Sequence, residues 1–425
     1  MHPHLLEGKQ IVIGVTGSIS IYKSLELIRL FIKSGAKVRV IMTDAATRFI
    51  SPLTFESISQ HEVLTEASES WVRGNGNNHI DIGKWADLLI VAPASANTLN
   101  KISHGIADNL LTQTVLAYPK EKLFAPAANT NMYKNPLTQA SLKMIKLIKA
   151  EVVEPQTKML ACGDVGDGAL AEVEEIYYKA AQMLLKDEFW SNRRVVISGG
   201  GTIERIDDVR FISNFSSGKM AASLARALYL KGADVCLVTT KPDSSLPKAV
   251  YTLEVEDAKE MQEYLGDALR VAKKGVMTNP TLIGDSVPEL IQKKPYLFMA
   301  AAVSDYHVKF QQSGKLKKST LGKTWTLELS ENEDVLMGLD KEGIFALGFK
   351  AEMDQVQGKA HAKEMLTRKN LDAVCFNDVS QNAFGSDENA ITLFTKEGEK
   401  SLPKADKLTL SLSLLEALSS LDTAQ

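Results

Sequence analysis

Short runs of consecutive apolar residues, each closed by small polar residues and followed by a segment of helical period, recur along the chain. QIVIGV (10–15) leads through GSIS into YKSLELIRLFIKSG, where Leu25, Ile28 and Ile32 are spaced for one helical face and Gly35 ends the helix. KVRVIMT is the next strand. ADLLIVAP follows a long polar excursion around RGNGNN, and KLFAPAAN is a further strand. Strands that are apolar throughout are buried on both faces, so their alternation with helices predicts a mostly parallel sheet covered on both sides.

The polar, charged stretch LKDEFWSNRR separates this unit from a fresh strand at Arg194–Ser198. A boundary near residue 188 follows, with domains 1–187 and 188–425. The second domain repeats the logic with RVVISGGG, a helix from about Lys219 to Lys231, and ADVCLVTT. YLFMAAAV, IFALGFKAE and LDAVCFND read as buried strands. AITLFTKEGEKSLP reads as a strand, a glycine-containing turn and a short run, and SLSLLEALSSL as a closing amphipathic helix. The fold class is α/β, in two domains of shared architecture.

Composition narrows the function. A chain of 425 residues, 44% of them hydrophobic, supports more than one large core and excludes disorder. A formal charge of -3 gives no field that would favour nucleic acid or anionic lipid. The three cysteines, Cys162, Cys236 and Cys375, are far apart and show no zinc-ligand spacing, which fits a reducing compartment. MHPHLLEGKQIVIGVTG carries no leader pattern, and Ile11–Val15 is strand length, not a membrane span. A soluble cytoplasmic protein without nucleic-acid or membrane partners is expected.

Candidate chemistry gathers at strand ends. Gly14, Gly17, Ser18 and Ser20 lie where the first strand turns into its helix, a place where backbone N–H groups and hydroxyls suit a phosphate. GVTGSIS lacks both the dinucleotide GxGxxG spacing and a Walker lysine; a tight turn without ligand is the alternative. Thr43, Ser95, Asn97 and Thr98 follow other strands of the same sheet and would meet at one edge, although Ser95 and Asn97 also suit a helix start. His79 heads HIDIGKWADLLIVAP; an imidazole is suited to take a proton from a thiol or carboxyl substrate, and a structural hydrogen bond is the alternative. Asn129 could hold a carboxylate without a buried charge, or simply form an Asx turn. Cys162 stands in a loop with glycines at 163, 166 and 168, unlike Cys236 and Cys375, which lie in apolar strands.

In the second domain, SGGGT allows close backbone approach and adds the Thr202 hydroxyl. Asn214 and a Ser-Ser-Gly turn precede a helix whose N-terminus, with Lys219, suits an anion. Asp305 comes at a strand end, shortly before Lys315, Lys317 and Lys318 on a flexible loop. Solvated charge is the ordinary reading of such lysines; triphosphate chemistry is the functional one.

GSIS…YK, MTDAATRFI, HIDIGKWADLLIVAPASANT, PAANTNM and LACGDVGDG, in this order, resemble the flavoprotein half of the bifunctional phosphopantothenoylcysteine decarboxylase/phosphopantothenate–cysteine ligase family of coenzyme A synthesis. VRFISNFSSGKM, AAVSDY, LGFKAE and NDVS resemble its ligase half. The resemblance covers nearly the whole chain. It implies a flavodoxin-like, Rossmann-like, homo-oligomeric flavin-containing cysteine decarboxylase fold followed by a Rossmann-like ligase domain. FMN would lie in the cradle of Gly17, Ser18, Ser20, Thr43, Ser95, Asn97 and Thr98, with His79 catalytic. Asn129 would hold the substrate carboxylate, and Cys162, on a flap, would be the late proton donor.

For the ligase half the resemblance implies CTP, Mg2+, phosphopantothenate and L-cysteine, joined through an acyl-cytidylate. Asn214 would support that intermediate and Lys315 would be the catalytic lysine. Asp305, Phe349 and Lys369 would contact the nucleotide, as would Asn332, Asp334 and Val335. Departures from the family pattern are Ala128 for methionine, Glu333 for proline and Met365 for lysine, the last with Lys363 as a possible substitute. The implied assembly is a dodecamer built from trimers and dimers. An FMN oxidoreductase or a flavin-binding regulatory subunit with a degenerate second domain are the alternatives. The lysine loop and the set His79, Asn129 and Cys162 argue against them.

Overall fold

The computed structural model describes residues 4–72, 76–148, 150–159, 163, 165–280, 287–378, 380 and 385–422. The chain divides into two compact units, Met1–Leu185 with Thr278–Glu289, and Lys186–Met277 with Leu290–Gln425. Each is built on its own sheet.

In the first unit β1 (Gln10–Val15), β2 (Lys37–Met42), β3 (Leu88–Ala94), β4 (Lys122–Pro126) and β5 (Ala150–Val152) pair in the order β2-β1-β3-β4-β5. All four pairings are parallel. The continuous apolar runs are buried as their pattern requires, with Ile11, Ile13, Leu89, Ile90 and Val91 fully inaccessible. Removing such a side chain, as in Ile90→Ala, costs about 2–5 kcal/mol. Strand order reverses between β1 and β3, the place in open α/β sheets where ligands settle beyond the carboxyl ends of the strands. An antiparallel hairpin of β6 (Gln156–Met159) and β7 (Val165–Ala169) follows, then the helix Val173–Leu185.

The first helix, Tyr22–Lys33, buries Ser24, Leu27, Ile28 and Phe31. This corrects the face expected from Leu25, Ile28 and Ile32, since Ile32 is exposed. YKSLELIRLFIK is apolar around much of its circumference, so two overlapping stripes satisfy the 3.6-residue period. Packing against the sheet selects one of them.

The second unit holds β8 (Arg194–Gly199), the antiparallel pair β9 (Ile203–Arg205) and β10 (Phe211–Ser213), β11 (Asp234–Thr239) and β12 (Tyr251–Glu254). β13 (Val276–Met277) and β14 (Leu290–Ile291) form a short ribbon. β15 (Tyr296–Met299) precedes a second ribbon, β16 (Tyr306–Val308) with β17 (Leu329–Glu331). β18 (Phe345–Glu352), β19 (Ala373–Asp378), β20 (Glu388–Thr395) and β21 (Gly398–Asp406) complete an eight-stranded sheet, β12-β11-β8-β15-β18-β19-β20-β21. It is parallel as far as β19, and the β20–β21 hairpin extends it antiparallel. The closing helix Lys407–Asp422 forms as its sequence predicts. Cys236 and Cys375 are both strand residues. Burial pushes the Cys236 thiol, and to a lesser extent the nearby Asp234 charge does, up to about 11; burial alone raises Cys375. Both stay protonated and unreactive near neutrality.

Candidate active sites at the carboxyl edges of the two sheets

Four loops of the first unit leave neighbouring strands at the same edge. After β1, Thr16 is buried, and its hydroxyl donates to the Pro93 carbonyl at 2.7 Å while accepting from the Ser95 N–H at 2.9 Å. This staple joins the tips of β1 and β3 at the switch point. Gly17 follows, and a Cβ there would come within 2.8 Å of Ala45 Cβ, so the turn lies against the loop after β2 in a way only glycine permits. Ser18 caps a short turn by accepting from the Ser20 N–H at 3.3 Å. Ser95 caps the helix Ala96–Ser103 through the Thr98 N–H and also meets the Thr98 hydroxyl at 3.1 Å. Asn97 is exposed on the first turn of that helix.

Thr43 is the informative member. Its Oγ1 is buried and has no hydrogen-bond partner among the described residues. A buried hydroxyl left unpaired costs about 1–3 kcal/mol, which a polar ligand group at this position would recover. The glycine turn, the hydroxyls and this unpartnered atom fit the phosphate and polar edge of a flavin mononucleotide.

Asn129 lies after β4 and caps the helix Thr130–Lys134 by accepting from the Asn131 N–H at 2.9 Å. The β6–β7 hairpin sits on this loop. Ala128 N–H donates to the Gly168 carbonyl at 3.0 Å, and a Cβ at Gly166 would strike Thr130. Gly166 and Gly168 thus allow the hairpin to approach the Asn129 loop; Cys162 itself lies outside the described residues. Glu172, just beyond the hairpin, pairs with Lys158 on β6 at 2.8 Å and with Lys23 on the first helix at 3.4 Å.

His79 opens the helix His79–Trp85, whose cap Asn78 accepts from the Ile80 and Asp81 N–H groups. Its Nδ1 is 3.4 Å from Glu69 Oε1, and the Trp71 ring meets the imidazole edge-on at 5.3 Å. Among the described residues, neither contact joins it to the strand-end cradle of the same chain. Ile19, Tyr22, Leu53, Trp71 and Leu137 are exposed apolar side chains on this unit, each more than half accessible.

The second unit presents two clefts beyond β8, β15 and β18. One, of about 580 Å3, is lined by Asn214, the Ser216–Lys219 helix start, Asp305, Phe349, Lys350 and Lys407, among others. The other, of about 620 Å3, is lined by Asp305, Asn332, Asp334, Val335, Phe349 and Lys369, among others. Asp305, Phe349 and Lys350 border both. Six residues named from the sequence for nucleotide contact therefore line one cleft, and two of them reach the neighbouring cleft with Asn214.

The details refine several expectations. Gly199, Gly200 and Gly201 accommodate the protein's own atoms: Cβ groups there would strike Ala221, the Thr240 hydroxyl and the Asn214 carbonyl. Thr202 is fully buried and accepts from the Ser304 N–H at 2.9 Å, so its hydroxyl faces no ligand. Asn214 Nδ2 donates to the Val303 carbonyl at 2.9 Å, fastening it to the loop after β15. The Val335 side chain belongs to the hydrophobic core, leaving its backbone toward the cleft. Lys315 is exposed and lines neither cleft. Its neighbours Gly314 and Leu316 are pinned to Asp208 and Asp207. Lys318 opens a one-turn helix. Lys363 pairs with Glu399 and lies over the Phe394 ring, whereas Met365 and Arg368 line the second cleft.

Thr16, Lys350, Lys407 and Ser304 also border these sites, and no sequence motif marks them as a set. The polar Ser304 breaking the apolar run AAAVSDY was the available signal; the lysines had none, being common surface residues. No group of three or more His, Cys, Asp or Glu side chains disposed to hold a metal occurs among the described residues. Nor is any described helix long and apolar enough to cross a membrane.

Comparison with known proteins places these sites in context. The family described as Flavoprotein matches residues 1–185, and that described as DNA/pantothenate metabolism flavoprotein C-terminal domain matches 190–281 and 276–421. The coenzyme A biosynthesis bifunctional protein CoaBC of Haemophilus influenzae is 36% identical over 97% of this chain and 98% of its own. Its counterpart in Bacillus subtilis is 35% identical over 98% of each chain, and that of Escherichia coli 34% over 97% of each. With the order of both units preserved across the full length, the chain belongs to the bifunctional CoaBC family of coenzyme A biosynthesis proteins.

Proposed function

We propose that this chain makes 4'-phosphopantetheine from 4'-phosphopantothenate, L-cysteine and CTP, ligating in the C-terminal unit and decarboxylating in the N-terminal unit. The observation that carries the reading is the pair of clefts sharing Asp305, Phe349 and Lys350. An acyl-cytidylate is a two-part molecule, and adjoining clefts with a common wall suit its two halves. The lysine-bearing cleft at the helix start suits the phosphopantothenoyl end, while the Asp334–Lys369 cleft suits the nucleotide.

In ligation, a carboxylate oxygen of phosphopantothenate attacks the α-phosphorus of CTP and pyrophosphate departs. The cysteine amine then attacks the acyl carbon, the carbon–oxygen bond to phosphorus breaks, and CMP leaves as the amine loses its proton. Asn214, held by the Val303 carbonyl, positions the mixed anhydride. Lys315 is brought in by its loop to offset charge developing on the phosphates. Mg2+ enters as the counter-ion of the triphosphate.

In the N-terminal unit Gly17, Ser18, Ser20, Thr43, Ser95, Asn97 and Thr98 hold FMN. When bound, FMN supplies the reversible two-electron oxidation that gives the departing carboxylate an electron sink. Asn129 orients the carboxylate, His79 moves a proton at the substrate thiol, and Cys162 returns a proton after carbon dioxide leaves. The contacts of His79 with Glu69 and Trp71, neither of them a cradle residue, and the exposed apolar side chains of this unit fit a homo-oligomer in which neighbouring subunits complete each other's sites. A dodecamer of trimers and dimers, acting in the cytoplasm, is the proposed assembly.

The test supplies phosphopantothenate, cysteine, CTP and Mg2+ and follows products by mass spectrometry. Pyrophosphate and CMP release, then loss of carbon dioxide from flavin-loaded protein, is expected. Cys162→Ser should leave amide formation intact and stall a species after decarboxylation. Lys315→Ala should slow ligation and spare decarboxylation of supplied phosphopantothenoylcysteine. Ligation lost in the cysteine variant, or unaffected in the lysine variant, would overturn the division of labour.

A further inference from the structure

Asn332 follows β17 directly, and its amide is committed at both ends. Nδ2 donates to the Ser304 carbonyl at 2.8 Å, and Oδ1 lies 2.8 Å from His307 Nδ1. Its backbone N–H donates to the Asp305 carbonyl, also at 2.8 Å. One residue thus ties down the loop that carries Asp305 to both clefts. The β16–β17 ribbon sets His307 beside Ser330 and brings it next to Asn332, 25 residues away in sequence.

The chemistry fixes which atoms face one another. A carbonyl only accepts, so the Asn332 NH2 group must point at Ser304 and its oxygen at the imidazole. His307 Nδ1 must then carry a hydrogen and donate it. Without that donor the amide oxygen loses its anchor, and Asn332 becomes free to turn away from Ser304. His307 itself is outside the lining of the nucleotide cleft, on the far side of Asn332. It faces an adjoining cleft of about 540 Å3 that is bordered by Glu204 and Glu260 and shares Glu331, Asn332 and Glu333 with the nucleotide cleft.

We propose that His307 is a positioning residue for the nucleotide: by donating from Nδ1 it locks the Asn332 amide, and through it the Ser304–Asp305 backbone, in the form that receives CTP. The inference rests on the ligase reading above. It makes no contact with substrate necessary for His307, and it assigns the residue a requirement for one hydrogen-bond donor at one place.

Steady-state ligation by the full-length protein tests it, with CTP and phosphopantothenate varied in turn. His307→Asn retains an N–H donor near the Nδ1 position and should keep the KM for CTP within about twofold of the starting protein. His307→Leu removes the donor and should raise that KM about five- to tenfold, the effect of one lost hydrogen bond, with the KM for phosphopantothenate little changed. His307→Asp sets an acceptor against the amide oxygen and should be at least as impaired as leucine. This keeps the test intact should the leucine variant fail to fold. An asparagine variant as impaired as the others, or leucine and aspartate variants that keep the original KM for CTP, would overturn the proposal. Failure of the unaltered protein to form amide with CTP would instead overturn the ligase reading.

Discussion

Lys369 Nζ lies 2.7 Å from Asp334 Oδ2, joining the end of the helix Gln355–Arg368 to the start of the turn Val335–Gly338 across the second cleft. Asp334 also caps that turn by accepting from the Met337 N–H at 3.1 Å. The carboxylate therefore orients the lysine and shapes the loop at once. Partial burial pushes the Asp334 carboxyl upward, but the Lys369 hydrogen bond, the Lys369 charge and backbone N–H groups outweigh it. The net position is below the usual carboxylate range.

Lys369→Met should therefore raise the KM for CTP by about tenfold or more, because it removes a cation and leaves Asp334 uncompensated beside an incoming triphosphate. Initial rates of pyrophosphate release measure this. Since the folded value of Asp334 is depressed, its contribution to stability is complete above the unfolded carboxyl value of about 4 and fades as pH falls through the folded value. CTP binding at pH 6 and pH 8 should show no step from this pair.

Glu172 behaves similarly at the base of the β6–β7 hairpin. The Lys158 hydrogen bond is the largest influence; partial desolvation opposes it, Lys23 assists, and the carboxyl falls to about 2. The tether should thus hold from neutrality down to about pH 4 and weaken progressively toward pH 2. Glu172→Gln should speed hydrogen exchange along residues 156–169 at pH 7 and slow decarboxylation, while ligation remains unchanged. Equal exchange in both proteins would show that the hairpin is held by its glycine-mediated contacts alone.

Thr43→Val separates fold from ligand. The hydroxyl has no partner among the described residues, so replacing it by an isosteric methyl should leave the apo melting temperature unchanged or slightly raised. The same change should weaken FMN retention by about five- to tenfold, read from flavin fluorescence on dilution. A drop in apo stability with undiminished flavin binding would make the threonine structural.

His79→Ala should lower carbon dioxide release by about 10²–10⁴-fold, the usual range for a lost general acid or base. FMN content and CTP-dependent amide formation should remain. Mixing this variant with a Cys162→Ala variant and allowing subunits to exchange should restore part of the activity if His79 serves a neighbour's site. The contacts of His79 with Glu69 and Trp71, neither of them a cradle residue, motivate that expectation.

Much of this protein was legible residue by residue. The runs at 10–15, 37–42, 88–94 and 122–126 became buried parallel strands because continuous apolarity leaves a strand no solvent face. The turn residues after them, Ser18, Ser95 and Asn129, act within two or three positions of themselves, and local chemistry of that kind is written in local order. The buried face of the first helix was not legible, because two apolar stripes competed on it. Nor was the role of the triple glycine, whose missing side chains make room for Asn214, Ala221 and Thr240, distant in the chain.

By itself the sequence determined the alternation of strands and helices, the strand ends where polar residues emerge, and the family to which both halves belong. Tertiary structure decided which of those strand ends became neighbours. Asp305, Asp334, Phe349 and Lys369 meet because β8, β15 and β18 lie side by side in the sheet, and His307 reaches Asn332 because a short ribbon folds back. Hydrophobic period and turn preference act over a few residues, whereas strand order follows from packing whole faces together. A cleft formed by several strand ends is therefore set by that packing, not by any one segment.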